Sequence, residues 1–265
     1  MVDEVRPRSD PALEAALLAA RDLDKSFDGL KAVDGANIEV ASGSITGLIG
    51  PNGAGKTTLF NLISGFASPD RGRVSFVGTD IQHLRPHQIA QHGLVRTFQT
   101  ARVLARLSVL DNMLLGAQKQ AGENPFRVWF HRRQVAREQR QNREWAMTVL
   151  EAVGLGDMAH EYAGSLSGGQ RKLLEMARTL MVHPKLVLLD EPVAGVNPKL
   201  VERICEQIAA WNRDGIAFLI VEHNMDALMS LCDCIWVLAQ GRNLAQGTPT
   251  EIQTDPQVLD AYLGR

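Results

Sequence analysis

Apolar runs and the polar residues between them divide the chain into a readable series of elements. Leu186-Val187-Leu188-Leu189 is unbroken by any polar side chain and predicts a strand buried on both faces of a parallel sheet. Ala217-Phe218-Leu219-Ile220-Val221 reads as another strand, and Ser44-Ile45-Thr46-Gly47-Leu48-Ile49 as a short buried one. Asn37-Ile38-Glu39-Val40 alternates and precedes a Ser-Gly turn, which predicts a hairpin leading into the Ser44–Ile49 strand. Gly72 to Val77 predicts a strand closed by Gly78, and Val95 to Gln99 a short strand ending in Gln99. The pattern changes to a helical period after Thr58, across Val109 to Tyr162, and again over Arg171 to Met181. In the last of these, Leu173, Ala177 and Leu180, with Leu174 and Met181, fall on one face. Ala12 to Ala20 is made of residues that favour helix, and the eleven residues before it read as a disordered tail.

Composition narrows the class only modestly. A length of 265 residues suits one domain, or one carrying an inserted subdomain, and 45% hydrophobic residues suffice for a core. A net charge of -2 gives no reason to expect nucleic acid as a partner. Cys205, Cys232 and Cys234 are odd in number and lack metal-ligand spacing, so reduced thiols are expected. No apolar run approaches the ~18 residues of a membrane span. Met1 to Pro11, charged and proline-containing, lacks the order of a signal peptide. The expectation is a soluble chain that stays where it is made.

Chemistry enters between the strand ending at Ile49 and the helix beginning near Thr58. Gly50-Pro51-Asn52-Gly53-Ala54-Gly55-Lys56-Thr57 fits G-x-x-x-x-G-K-[ST]. Glycines let the backbone wrap a polyphosphate, and N–H groups at a helix N-terminus point at the anion. Lys56 is then expected to reach the β- and γ-phosphates, and the Thr57 hydroxyl to ligate Mg²⁺. Such a match arises by chance in roughly 1 in 100 chains of this length, and the flanking strand and helix lower that. The chain is read as binding a nucleoside triphosphate.

Further motifs point at phosphate. Leu166-Ser167-Gly168-Gly169-Gln170 precedes an amphipathic helix, and a serine with two glycines at a helix N-terminus makes a second anion site. Asp190 and Glu191 follow directly on the buried Leu186–Leu189 run, and ligands of open α/β sheets sit at such strand ends. Asp190 is thereby placed to hold Mg²⁺, and Glu191 to act as general base on a water. His223, just past the Ala217–Val221 strand, is read as a γ-phosphate contact. The strongest charge bias is Arg127, Arg132, Arg133, Arg137, Arg140 and Arg143, interleaved with Phe126, Trp129, Phe130 and Trp145. Two readings stay open there: contact with anionic lipid or an acidic partner, and a solvated helix face paired with Glu138 and Glu144.

In this order the phosphate loop, Gln99, the Leu166–Gln170 signature, the Asp190-Glu191 pair and His223 resemble the nucleotide-binding subunit of an ABC transporter. The resemblance runs from about Leu17 to the C-terminus. It implies an α/β P-loop NTPase core of mainly parallel sheet, with an N-terminal antiparallel β-subdomain and an inserted helical subdomain at about 100–165. Residues 12–265 would then form one ATPase domain. That antiparallel sheet is the reason to read an edge strand over the second half of Ala12–Ala20. The same resemblance puts Phe27 on adenine, where a phenyl ring stacks through area and π-contact, against a plainer reading of Phe27 as ordinary packing. It adds Thr58 to the nucleotide contacts, and Gln99 as a sensor of Mg²⁺ and the γ-phosphate. It also implies ATP hydrolysis by a head-to-tail dimer, with itself or a companion ATPase, in which the signature of one subunit meets ATP on the other. Permease subunits, and indirectly an extracytoplasmic binding protein, are the implied partners, with the chain peripheral on the cytoplasmic face of the membrane. Asn197 stands where many such ATPases carry an Asp in a dimer loop.

A narrower resemblance is to the ATPases of branched-chain amino-acid importers. Phe27 to Val33, Val95 to Gln99, Ala194 to Pro198, Gly247-Thr248-Pro249 and Ala261 to Gly264 carry it. The long helical stretch between Gln99 and Leu166 resembles the larger of the two ATPases of such systems. A lipopolysaccharide-export ATPase is the nearest rival, and a soluble non-transport ABC ATPase the next. The long heptad run of DNA-maintenance relatives and the second P-loop of translation-associated ones are both missing from this sequence.

Overall fold

The computed structural model describes residues 16–97, 103–117 and 132–263, and the expected tail at 1–11 lies outside them. The chain divides into two compact units: Met1–Pro86 with Ala217–Leu219 and Cys232–Arg265, and His87–Ile216 with Ile220–Leu231.

In the first unit, β1 (Leu18–Phe27), β2 (Leu30–Val40), β4 (Arg71–Phe76) and β5 (Thr79–Asp80) form an antiparallel sheet in the order β2-β1-β4-β5. The strand expected before Phe27 is present, but it is not an edge. Leu18 pairs with Val40 on one side and with Phe76 on the other. Leu18, Ala19, Ala20 and Leu23 are buried. Burial between two neighbours overrides the helix propensity of the Ala-Leu stretch. Asp28 and Gly29, with φ of 47° and 87°, make the two-residue turn into β2.

The expected hairpin from β2 into β3 (Ile45–Ile49) does not form. A turn closes where the Ser44 N–H donates to Ala41 O at 3.3 Å, yet β3 leaves that sheet and pairs in parallel with β9 (Cys234–Ala239). The burial patterns explain the separation. Successive positions of β2 alternate between core and solvent, whereas all five residues of β3 are buried and need cover on both faces. Asp233 pins the start of β3, its carboxylate accepting from the Ile45 N–H at 2.8 Å. The strand order here is β10-β9-β3-β8, with β10 (Arg242–Gly247) antiparallel to β9 and β8 spanning Ala217–Val221. Helices α1 (Lys56–Ile63), α8 (Pro249–Thr254) and α9 (Pro256–Leu263) belong to this unit.

The second unit holds β6 (Leu94–Arg96) and β7 (Leu186–Asp190), paired in parallel, in the order β8-β7-β6. β7 is buried along its whole length, as an unbroken apolar run requires. β6 ends at Arg96, earlier than expected, and Gln99 lies outside the described residues, as do Phe126, Arg127, Trp129 and Phe130. The helices are α2 (Pro86–His92), α3 (Val109–Leu114), α4 (Arg132–Ala152), α5 (Gly168–Thr179), α6 (Pro198–Arg213) and α7 (Met225–Leu231). On α5 the expected apolar face is buried, including Leu173, Leu174 and Ala177. On α4 the exposed Arg140 pairs with Glu144 at 3.0 Å, while the indole N–H of Trp145, itself exposed, donates to Leu180 O at 3.3 Å. Among the described residues no helix is long and apolar enough to cross a membrane, and the three cysteines are free thiols.

Candidate functional site

The phosphate loop leaves β3 at Gly50 and enters α1 at Gly55. A Cβ at Gly50 would run into the Leu238 carbonyl oxygen, and one at Gly55 into that of Ala32. Both positions also have positive φ, 153° and 97°, so the close approach and the conformation both demand glycine. Gly55 is the N-cap of α1 and brings no side-chain acceptor. By contrast Ser108, Ser167, Asn197 and Thr248 each cap their own helices with a side-chain oxygen. The positive end of the α1 dipole therefore carries no side-chain cap.

Lys56 lies folded over this loop, only 8% exposed, its Nζ donating to Gly50 O at 2.7 Å and Pro51 O at 3.0 Å. Asn52, Gly53 and Thr57 face solvent, Thr58 is half-buried, and Ala54 is buried with its carbonyl accepting from Gly241 N at 3.0 Å. Phe27 is 48% exposed, with Lys25 Nζ 5.5 Å from its ring centroid, so its ring is no part of the core. The sequence reading missed Tyr262 of α9. Burial raises its phenol pKa, opposed by the backbone N–H of Gly50 at the start of the phosphate loop.

In the second unit the acidic pair sits at the end of β7. Asp190 is buried, and its Oδ2 is held by Arg96 Nη2 at 2.9 Å in an ion pair nearly closed to solvent. Among the described residues no group engages the other carboxylate oxygen. Glu191 has φ 51°, a left-handed conformation rare for a residue with a side chain. Its N–H donates to Val221 O at 2.8 Å, and its carbonyl accepts from Lys172 Nζ at 2.9 Å. His223 Nε2 lies 3.3 Å from Glu191 Oε1, and both side chains remain open to solvent. Glu222, next to His223, is an anchor. It is buried, and its carboxylate accepts from the N–H groups of Val193, His223 and Asn224 at 2.7, 2.9 and 3.2 Å.

Ser167 begins α5 through a reciprocal capping box with Gln170. Leu166 just before it is buried, and a Cβ at Gly169 would strike the Leu200 side chain. Asn197 caps α6 without a reciprocal bond, accepting from Leu200 N at 3.0 Å, with Pro198 in the first turn. An open groove of about 820 Å³ runs past Ser167, Gly168, Gly169, Lys172, Gly195 and Asn197. The structure thus gathers Asp190, Glu191 and His223 at the ends of β7 and β8, and lines one groove with the signature and Asn197. Arg96 and Lys172 were missed, since nothing in the sequence marks a basic residue as buried. The one available signal was the place of Lys172 on the helix whose other residues form the apolar face.

For nucleotide, the uncapped α1 and its close-packed glycines fit a polyphosphate. For a divalent cation, no group of three or more His, Cys, Asp or Glu side chains forms a cage among the described residues. In the second unit the buried Asp190 carboxylate, one oxygen of which no described residue engages, has the chemistry to suit a hard cation; in the first unit, separately, Thr57 is exposed.

The family described as ABC transporter matches residues 33–194, and that described as branched-chain amino acid ATP-binding cassette transporter matches 242–265. A probable branched-chain amino acid transport ATP-binding protein LivG of Archaeoglobus fulgidus is 43% identical, over 94% of this chain and 95% of its own length. The high-affinity branched-chain amino acid transport ATP-binding protein BraF of Pseudomonas aeruginosa is 40% identical, over 97% and 99%. A crystal structure of the ADP conformation of an ATP-binding cassette of an ABC transporter superposes with a TM-score of 0.82 at 38% identity, covering 94% of this chain and 99% of that one. With its phosphate loop, its signature helix and its acid–histidine cluster, this chain belongs to the ATP-binding cassettes of the ABC transporter family.

Proposed function

We propose that this chain is the ATP-binding and hydrolysing subunit of an ABC importer whose cargo is branched-chain amino acids. The cargo class is supported by one observation above all: residues 242–265 match the family described as branched-chain amino acid ATP-binding cassette transporter. The names of relatives matched over nearly their full length point to the same cargo.

In this reading ATP lies on the phosphate loop, with the α1 N–H groups and Lys56 on its phosphates and Phe27 against adenine. Mg²⁺, when bound, neutralises charge on the β- and γ-phosphates, and Thr57, Asp190 and Gln99 are the residues that would hold it. Glu191 takes a proton from the attacking water as general base, and His223 contacts the γ-phosphate. The partner subunit's Leu166–Gln170 segment would complete each site, so two chains close head-to-tail and exclude water. That partner is a second copy or a companion ATPase. The chain works peripherally at the cytoplasmic face of the membrane against permease subunits, with an extracytoplasmic binding protein delivering cargo. Selection of the cargo belongs to those proteins.

The test is uptake in cells lacking this chain. Restoring the intact chain should restore import of labelled leucine, isoleucine and valine, while Glu191→Gln should not. Normal uptake of all three without the chain, or a defect in lipopolysaccharide export instead, would remove the proposed cargo.

A further inference from the structure

The buried cation Lys172 has no place in the chemistry described so far. Lys172 lies on α5, two positions after Gln170, and only 8% of it is exposed. It makes no ion pair with a carboxylate among the described residues. Its Nζ donates instead to a main-chain carbonyl, that of Glu191, at 2.9 Å. A buried ammonium must be hydrogen-bonded to persist, and here the bond goes to the one residue whose carboxylate faces His223.

Glu191 needs such a restraint. Its φ of 51° is a conformation that a side-chain-bearing residue leaves readily unless its surroundings hold it. The Val221 carbonyl holds the Glu191 N–H at 2.8 Å, on the β8 side. Lys172 holds the other end of the same residue from α5. The two bonds together fix the peptide planes on either side of the Glu191 Cα, and so the direction in which its carboxylate leaves the backbone. We infer that Lys172 is a positioning residue for Glu191, tying the helix that begins at Ser167 to the general base. The inference rests on the reading of Glu191 as that base. It adds to it a mechanical link: a displacement of α5 as its N-terminus meets the partner subunit's nucleotide is passed through Lys172 to the backbone of Glu191.

The experiment is steady-state ATP hydrolysis by the full chain with Lys172→Met, Lys172→Arg and Lys172→Gln, each also in a Glu191→Gln background. Methionine keeps the length and loses the donor. It should lower kcat by about 10- to 100-fold, the scale of a misplaced catalytic group, and leave nucleotide affinity within about 2-fold. Arginine, which can still donate, should recover part of the rate. Glutamine, too short to reach, should behave like methionine and serves where methionine folds poorly. In the Glu191→Gln background the Lys172 substitutions should change the residual rate less than about 2-fold, because the base they position is gone. Near-wild-type kcat in Lys172→Met beside a dead Glu191→Gln would overturn the positioning role alone. The same fold-loss from Lys172→Met in both backgrounds would also overturn it, showing a structural effect on the whole unit. Near-normal turnover in Glu191→Gln would overturn the base assignment and this inference with it.

Discussion

Asp190 and Arg96 show how much one residue's meaning depends on its burial. In sequence Asp190 is an acid at a strand end and Arg96 a basic residue in a short strand. In the fold they stand on the neighbouring parallel strands β7 and β6, and their side chains meet with 4% and 6% exposure. A pair this deep is screened little by solvent, so removing one partner leaves a buried charge without its counterion. Arg96→Met should destabilise the chain by about 3 kcal/mol. Asp190→Asn should also destabilise, and the double variant should lose less than the sum of the two, because each has already broken the same contact. Denaturant unfolding of the four proteins measures that coupling. Strict additivity would mean that the 2.9 Å contact contributes nothing. The pairing also bears on function. It engages one oxygen of Asp190 and leaves the other as an acceptor, which the proposed role of Asp190 toward Mg²⁺ requires.

At the scale of elements, the helix N-termini separate folding from function. Most of the capped helices close their first turn with their own serine, threonine or asparagine, and α1 alone among those five has a glycine as its N-cap. Asn197 belongs to the folding side of this contrast. Its side chain accepts from Leu200 N and starts a helix of 16 residues. Asn197→Ala should cost about 1 kcal/mol, whereas Asn197→Asp keeps the acceptor and adds a negative charge where the helix dipole favours it. The Asp variant should therefore melt at or slightly above the wild-type temperature, and the Ala variant below it. An Asp variant that melts lower than Ala would show that Asn197 is chosen for its amide N–H. These elements also mark what the sequence could tell. Strands β3, β7 and β8 were legible because unbroken apolar runs carry their own burial signal, and the phosphate loop because its glycines answer to steric limits. The partnering of β2 and β3 was not legible. A turn of Ser and Gly looks the same whether the next strand pairs back or crosses to another sheet. Arg96, Lys172 and Glu222 stayed hidden for a related reason: their roles arise from contacts across the fold that leave no local spacing behind.

At the scale of the whole molecule, the phosphate loop lies in one compact unit and the signature in the other, more than a hundred positions apart in sequence. Under the proposed function both face phosphate, and each ATP is then either shared within one chain or completed by the partner subunit's signature. Two substitutions distinguish these arrangements. Lys56→Ala removes the cation of the phosphate loop, and Ser167→Arg puts a bulky cation at the start of α5, where the proposed function has the signature meet nucleotide. As homodimers, either variant has both sites damaged under either arrangement. A mixed dimer separates them. If each site lies within one chain, both sites remain defective. If the sites are shared, one receives both lesions and the other receives neither. The mixed dimer should then occlude one nucleotide, while the two homodimers occlude none. Should the natural partner be a companion ATPase, one substitution goes into each protein and the logic holds. Trapped nucleotide in verified mixed dimers is the proper readout, because cooperativity between sites can silence turnover in a half-intact dimer without emptying the intact site. Mixed dimers that trap no nucleotide would return the site to a single chain and remove the need for head-to-tail closure.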